Sequence, residues 1–169
     1  MSSTIQKIVL DTTYILPLYG IEVDGLKDLE KNLISLLNGN NSKISLYIPS
    51  VTMLEALYKL IREFKLQDDK NILNRYPMAT RSIVENPVLV IVNPLLHPEI
   101  SNIALNIRSE GHTDLFDCLI AGTAIFHKAI LVTQDNELER IIRNIPQYYN
   151  QQILDWKKFM QHPSFQKLE

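Results

Sequence analysis

The sequence has very little cysteine and no excess of basic residues. Its single cysteine, Cys118, rules out a framework of internal disulfides and favours a reducing compartment. The 17 basic residues are outnumbered by 19 acidic ones, so the formal net charge is −2. This balance argues against a protein that coats nucleic acid through bulk charge. An enzyme in which metal ions meet the phosphate group remains compatible with it.

Long apolar runs are also absent. No stretch approaches the about 18 apolar residues that a membrane-spanning helix needs, so we expect no membrane segment. The amino-terminal stretch has no basic leader and is interrupted by Asp11, so we expect no signal peptide and a cytoplasmic protein. At 169 residues, the simplest expectation is one domain over 1–169, with 151–169 forming an edge strand and a tail.

Strand and helix patterns alternate along the chain. Short apolar runs predict strands at 6–11, 45–50, 87–94, 129–133 and 151–156. The last of these is expected at the edge of the sheet. Apolar residues at helical spacing predict helices at 25–39, 51–67, 68–86, 97–111, 113–128 and 136–145. This alternation predicts an α/β fold with a mostly parallel sheet and helices on both of its faces.

Three details sharpen these expectations. Pro77 lies within the helical pattern 68–86 and is expected to kink or split it. The run 87–94 is uninterrupted Val, Leu and Ile between prolines, which indicates a strand buried on both faces. Ser50 is expected to cap the helix that follows the strand 45–50.

Two acidic residues follow strands of the predicted sheet. Asp11 ends the first strand, and Asp135 comes just after the strand 129–133. Parallel strands present their carboxyl ends at one edge, where ligands bind in such folds. We therefore expect Asp11 and Asp135 to lie near each other.

Three more acids are expected at the same edge. Asp114 and Asp117 fall in the first turn of the helix that leads into the strand 129–133, and their spacing places them on one helix face. Crossover helices run antiparallel to the strands, so this helix begins at the edge where the strands end. Glu55 lies early in the helix after the strand 45–50, and is expected close to the same edge.

Carboxylates gathered in this way raise one another's pKa and cost stability unless cations neutralise them. Ligation by oxygen alone points to Mg²⁺ or Mn²⁺ rather than to zinc. Two such ions can clamp a phosphodiester and activate water, so the acids predict a metal-dependent nuclease. The histidines show no ligand spacing and are expected to be surface or satisfied residues; they are His97, His112, His127 and His162.

Each acid also has a structural explanation. Asp114 and Asp117 could form a capping box, and Asp135 could simply cap the next helix. Asp11 could form an Asx-turn, and Glu55 could pair with Lys59 at i,i+4 spacing. Three threonines flank the acids, and their hydroxyls either orient carboxylates or bound water, or reflect capping and strand propensity; they are Thr12, Thr13 and Thr133.

Three segments in this order resemble the PIN-domain family, which includes the VapC-type toxins of toxin–antitoxin pairs. They read VLDTTYIL, PSVTMLEALYKL and FDCLIAGTAIFHKAILVTQD, and their order and spacing match over 6–143. The resemblance implies a three-layer α/β/α sandwich and Mg²⁺- or Mn²⁺-dependent cleavage of RNA. It also implies a homodimer and, for a toxin, inhibition by a small antitoxin protein.

The resemblance assigns the site residues by motif. It implies that the catalytic and metal-binding acids are Asp11, Glu55, Asp117 and Asp135, with Asp114 auxiliary. Thr133 matches the small hydroxyl residue usual before the last acid. The sequence departs from the family at Thr13, where Asn or Ser is commoner, at Gly122, where alanine is usual, and in a longer region 66–86.

Four functions are compatible with the sequence. A toxin ribonuclease is favoured, and a PIN nuclease of RNA processing or decay without an antitoxin is the nearest alternative. A phosphatase with Asp11 as nucleophile is disfavoured, because Thr13 stands where its second aspartate would be. A non-catalytic binding module would require the acids to serve only as caps.

Overall fold

The computed structural model describes residues 5–26, 28–38 and 44–163. Its sheet has five parallel strands in the order β3-β2-β1-β4-β5. The strands are β1 (Gln6–Leu10), β2 (Ile44–Pro49), β3 (Leu89–Val92), β4 (Ile130–Val132) and β5 (Ile153–Leu154). The predicted α/β fold with a parallel central sheet is confirmed.

Helices connect the strands. The α-helices are α1 (Thr12–Ile15), α2 (Leu29–Asn38), α3 (Ser50–Gln67), α4 (Asn71–Glu85), α5 (Pro98–Ser109), α6 (Leu115–His127), α7 (Asn136–Asn144) and α8 (Trp156–Met160). Two 3₁₀ turns cover Leu16–Tyr19 and Pro94–Leu96. Gly39, the predicted end of α2, lies outside the described residues. No helix within those residues has the length and apolar character that crossing a membrane requires.

A hydrophobic core lies on each face of the sheet. Along β1, Ile8 and Leu10 enter the core formed with α1, α2, α3, α4 and α8, whereas Val9 enters the core formed with α5, α6 and α7. Successive side chains of a strand point to opposite faces, so a fully apolar strand is what a sheet between two helical layers requires. The fold is therefore the three-layer α/β/α arrangement.

The expectation that the third strand is buried on both faces was wrong. β3 pairs only with β2, and it forms one edge of the sheet. Val90 and Ile91 are 39% and 38% exposed. The local sequence of a strand records its apolar character but not its place in the strand order, which tertiary packing decides.

Two helix details also differ from expectation. α4 runs unbroken from Asn71 to Glu85 with Pro77 inside it, so the helix is not split. Pro77 lies on the exposed face of this helix. Ser50 is the first residue of α3 rather than its cap, and the hydroxyl of Thr52 instead donates to the Pro49 carbonyl at 2.8 Å.

The chain after β5 packs back onto the start of the fold. Trp156, in α8, stacks on Tyr14 of α1 with ring centroids 5.1 Å apart. Both rings are buried. α8 thereby braces the short helix that follows Asp11.

Candidate metal centre

Asp11 stands where β1 ends and α1 begins. Its Oδ1 accepts a hydrogen bond from the backbone of Thr12 at 2.6 Å, and its Oδ2 accepts one from Thr133 Oγ1 at 2.8 Å. Its own amide donates to the Val132 carbonyl at 3.0 Å, which extends the pairing of β1 with β4 by one residue. These contacts fix the carboxylate at the carboxyl edge of the sheet.

Glu55 reaches the same edge from α3. Its Oε2 accepts a hydrogen bond of 2.5 Å from Thr12 Oγ1, and its Oε1 lies 3.8 Å from Lys59 Nζ. The ion pair with Lys59 that a structural explanation predicted therefore exists. It coexists with the contact to Thr12, which ties Glu55 to the residue beside Asp11.

The first turn of α6 presents Asp117. Asp114 is the cap of this helix, and its Oδ1 accepts hydrogen bonds from the backbone of Phe116 at 2.8 Å and of Asp117 at 3.3 Å. The cap leaves the Asp117 carboxylate free to point toward the sheet edge. Of the two acids, Asp114 therefore caps the helix and Asp117 does not.

Asp135 caps α7 with only one of its oxygens. Oδ1 accepts a hydrogen bond from the Leu138 backbone at 2.9 Å, while Oδ2 faces the cluster. The Asp135 amide donates to Thr133 Oγ1 at 3.1 Å. Since the same hydroxyl donates to Asp11, Thr133 links the two acids that follow β1 and β4.

His112 belongs to this cluster, and the expectation that it is a surface or satisfied residue was wrong. It is 3% exposed, and its Nδ1 is buried without a hydrogen-bond partner among the described residues. Its Nε2 lies 3.4 Å from Asp117 Oδ2 and 3.6 Å from Asp135 Oδ2. Ligand atoms of these three residues all lie within 4.8 Å of one another.

A sequence signal for His112 exists in hindsight. The residue stands two positions before the Asp114 cap, so the loop that carries it must end at the sheet edge where α6 begins. Gly111 adopts a φ of 113°, and Arg108 Nη1 donates to the His112 carbonyl at 2.7 Å. These features fold the loop so that the imidazole points inward.

Burial and like charge act together on the acids. The pKa of Asp117 is raised to about 8. Burial is the largest cause, and the negative charges of four other acids add to it; they are Asp11, Asp114, Glu55 and Asp135. The other four acids are therefore close enough for their charges to act on Asp117. A divalent cation would offset this repulsion.

Asp11 shows the same effect to a smaller extent. Burial raises its pKa to about 6, with hydrogen bonds from Thr133 and Thr12 opposing the rise and the charges of Glu55 and Asp135 adding to it. Thr13, by contrast, is half-buried in α1, and no contact within the described part of the chain ties its hydroxyl to an acid.

Comparison with known proteins places this arrangement in context. Residues 8–144 match the family model of the PIN domain. No curated protein matches the sequence significantly. Solved structures do match, at identities that establish likeness of fold.

The chain is similar to a component of VapBC2 from Rickettsia felis bound to a DNA fragment from their promoter. The TM-score is 0.59 and the identity 18%, over 89% of this chain and 99% of the other. For DNA-bound VapBC from Salmonella typhimurium the TM-score is 0.55 and the identity 19%, over 90% of this chain and 99% of the other. For FitAB bound to an IR36 DNA fragment the TM-score is 0.54 and the identity 18%, over 88% of this chain and 94% of the other.

Proposed function

The chain belongs to the PIN-domain family, and from this premise we propose that it is a metal-dependent endoribonuclease that hydrolyses RNA phosphodiester bonds. One observation carries the proposal. Asp11, Glu55, Asp117 and Asp135 come from four separate segments, and their charges converge on one edge of the sheet. The convergence matches the acids that the motifs select.

The residues present fit a divalent cation. Burial combined with like charge raises the pKa of Asp11 to about 6 and that of Asp117 to about 8, and a cation would favour the ionised form of both carboxylates. Carboxylate oxygens are the ligands that Mg²⁺ and Mn²⁺ prefer. Asp11, Glu55, Asp117 and Asp135 would hold the ion, with Asp114 auxiliary.

A bound divalent ion supplies Lewis-acid polarisation of the phosphate and lowers the pKa of bound water. The protein's own groups hold the geometry. Thr133 fixes the Asp11 carboxylate relative to Asp135, and Thr12 fixes Glu55. Lys59, with its ammonium 3.8 Å from Glu55 and its side chain 42% exposed, can meet a phosphate of the entering strand.

A binding module in which the acids are only caps is less well supported. Asp114 and Asp135 do cap helices, but Asp135 uses one oxygen and turns the other toward His112. Asp117 caps nothing, and it carries the highest raised pKa of the acids. A fold selected for capping alone has no reason to place this half-buried carboxylate, which caps nothing, near four others.

The test is cleavage of a defined RNA by purified protein. Wild type is compared with Asp11→Asn and Asp117→Asn, each in Mg²⁺, Mn²⁺ and EDTA. We expect cleavage by wild type only with metal, and at least a ~100-fold loss in both variants, because each removes a ligand charge without changing side-chain shape.

Asp69→Asn is the matched control. Asp69 is an exposed acid beyond the carboxyl end of α3, and that helix begins at the sheet edge and leads away from it for 18 residues. Asparagine keeps the acceptor that receives the Asn71 amide. Equal cleavage by wild type and both site variants would mean that a contaminant cuts the RNA.

We further propose that the chain is the toxin of a toxin–antitoxin pair, acting in the cytoplasm as a homodimer with a small antitoxin as its partner. The similarity in fold to chains of VapBC and FitAB supports this assignment. Expression of the wild-type chain should arrest bacterial growth, while Asp117→Asn should not. Rescue by a small protein encoded beside it would support the toxin; arrest that no neighbouring product relieves would favour an RNA-processing nuclease.

A further inference from the structure

We propose that His112 is a metal ligand that acts together with Asp117 and Asp135, and that this imidazole makes the site prefer Mn²⁺ to Mg²⁺. The inference rests on the proposed function, because it concerns the same site. It adds a nitrogen donor to a set of ligands that the motifs describe as carboxylates alone. The consequence is a choice between metals rather than a new reaction.

The distances favour shared ligation over hydrogen bonding. His112 Nε2 lies 3.4 Å from Asp117 Oδ2 and 3.6 Å from Asp135 Oδ2. Hydrogen bonds from nitrogen to oxygen concentrate at ~2.7–3.2 Å, so both contacts are long for that purpose. Two atoms that each bind one ion at about 2.1 Å lie roughly 3.0–3.4 Å apart in octahedral or tetrahedral geometry, so the contact with Asp117 falls at the end of this range and the contact with Asp135 has to shorten slightly on binding.

The burial of the ring points the same way. His112 is 3% exposed, and its Nδ1 has no partner within the described residues. Since a metal-bound histidine normally donates its other ring N–H, the support comes from Nε2 rather than from Nδ1: the buried ring directs Nε2 at two carboxylates. The polar contacts described for the ring are those of Nε2 with the two acids.

The backbone around His112 holds the ring in place. Arg108, near the end of α5, donates to the His112 carbonyl at 2.7 Å. Gly111 supplies a φ of 113°, a conformation that other residues rarely adopt. The side chain is thus positioned by α5 and its following turn, independently of the strands that position Asp11 and Asp135.

Ligand chemistry turns this geometry into metal selectivity. Mg²⁺ prefers oxygen ligands and keeps much of its hydration shell. Divalent first-row transition metals also bind sites of mixed nitrogen and oxygen donors, and Mn²⁺ is the weakest binder among them. Adding one imidazole to the carboxylates therefore favours binding of Mn²⁺ over binding of Mg²⁺.

The decisive variant is His112→Gln, because a glutamine amide oxygen can occupy nearly the position of Nε2. Binding of Mn²⁺ and of Mg²⁺ is measured by calorimetric titration of the purified, metal-stripped protein. We expect His112→Gln to bind Mn²⁺ at least ~10-fold more weakly, the lower end of what loss of a group supporting a metal costs, and to bind Mg²⁺ nearly as wild type does. His97→Gln, which alters an imidazole that packs on Phe126, should change neither affinity.

A spectroscopic measurement makes the test independent of the variant's folding. Pulsed electron paramagnetic resonance of the Mn²⁺-loaded wild type should detect coupling to a directly bound imidazole ¹⁴N, and His112→Gln should lose it. Absence of that coupling in wild type, or an unchanged ratio of Mn²⁺ to Mg²⁺ affinity in His112→Gln, would overturn the inference and leave His112 as a group that only positions the two acids. If wild type binds neither metal, the proposed nuclease fails instead, so the two failures are distinguishable.

Discussion

Individual acids at the sheet edge differ in what their oxygens do. An oxygen of Asp114 accepts the capping hydrogen bonds of α6. Asp135 caps α7 with one oxygen and directs the other toward the cluster, whereas Asp117 faces the cluster without capping a helix. The motif pattern ranks Asp117 above Asp114, and the cap explains the order in physical terms. The lower-ranked acid holds the first turn of the helix that presents the higher-ranked one.

This difference predicts that two substitutions at Asp114 have different effects on stability. Asp114→Ala removes the cap and should lower the free energy of unfolding by ~1 kcal/mol, whereas Asp114→Ser keeps an acceptor and should stay near wild type. Urea denaturation measures both. RNA cleavage by Asp114→Ser should fall less than cleavage by Asp117→Asn, and the reverse order would show that the auxiliary role belongs to Asp117.

The sequence predicted the position of the acids in the fold but not the position of His112, for one physical reason. Asp11 and Asp135 follow strands, and the carboxyl ends of parallel strands meet whatever the intervening sequence is. His112 lies in the turn between α5 and α6, where no periodicity fixes the direction of a side chain. Ligand spacing along the sequence cannot reveal a histidine whose partners are brought to it by packing.

The helices α5 and α6 pack closely against each other at Gly122. Gly122 of α6 lies against α5, and a Cβ placed on it would stand 2.9 Å from the Ile100 carbonyl oxygen. That oxygen belongs to the helix backbone and cannot swing away. The glycine found where the family usually has alanine is thus matched by close helix packing in this chain.

Gly122→Ala should therefore destabilise the protein. Alanine favours a helix by ~1 kcal/mol over glycine, but overpacking against backbone typically costs about 1–3 kcal/mol and should outweigh that gain. Thermal and urea unfolding measure the net effect. A more stable Gly122→Ala protein would mean that α5 moves aside, and the distance from His112 to Asp117 would then be expected to change as well.

Element boundaries followed from the sequence better than element positions did. The apolar runs identify the strands, because burial between two helical layers demands them. The run 87–94 was nevertheless assigned to the wrong kind of position, since β3 is an edge strand with Val90 and Ile91 partly exposed. Strand order depends on which helices cover which face, and that information is spread over the whole chain.

For the whole molecule, the acid cluster should make stability depend on pH when metal is absent. In the folded protein the pKa of Asp117 is raised from its ordinary value of 3.8 to about 8, and the pKa of Asp11 to about 6. The folded state thus holds more protons than the unfolded state between these limits. The free energy of unfolding should fall as pH rises from about 4 to about 8.

Melting temperatures in EDTA across pH 5 to 8 check this dependence. The wild type should melt progressively lower as pH rises, and Asp117→Asn should show a shallower slope. At pH 8 the variant should melt about 2–4 °C higher for each kcal/mol of repulsion removed. Added Mn²⁺ should stabilise wild type more at pH 8 than at pH 5; a flat profile in EDTA would mean that neither burial nor like charge raises the pKa of these acids.

The central claim is that carboxylates from separate segments of this PIN domain form one metal site. Anomalous diffraction from crystals equilibrated with Mn²⁺ tests it most directly, because it locates the ion without reference to activity. The account predicts an anomalous peak bordered by Asp11, Glu55, Asp117 and Asp135. Crystals in which that cluster remains without a peak at saturating Mn²⁺, or in which Mn²⁺ binds only elsewhere, would contradict it.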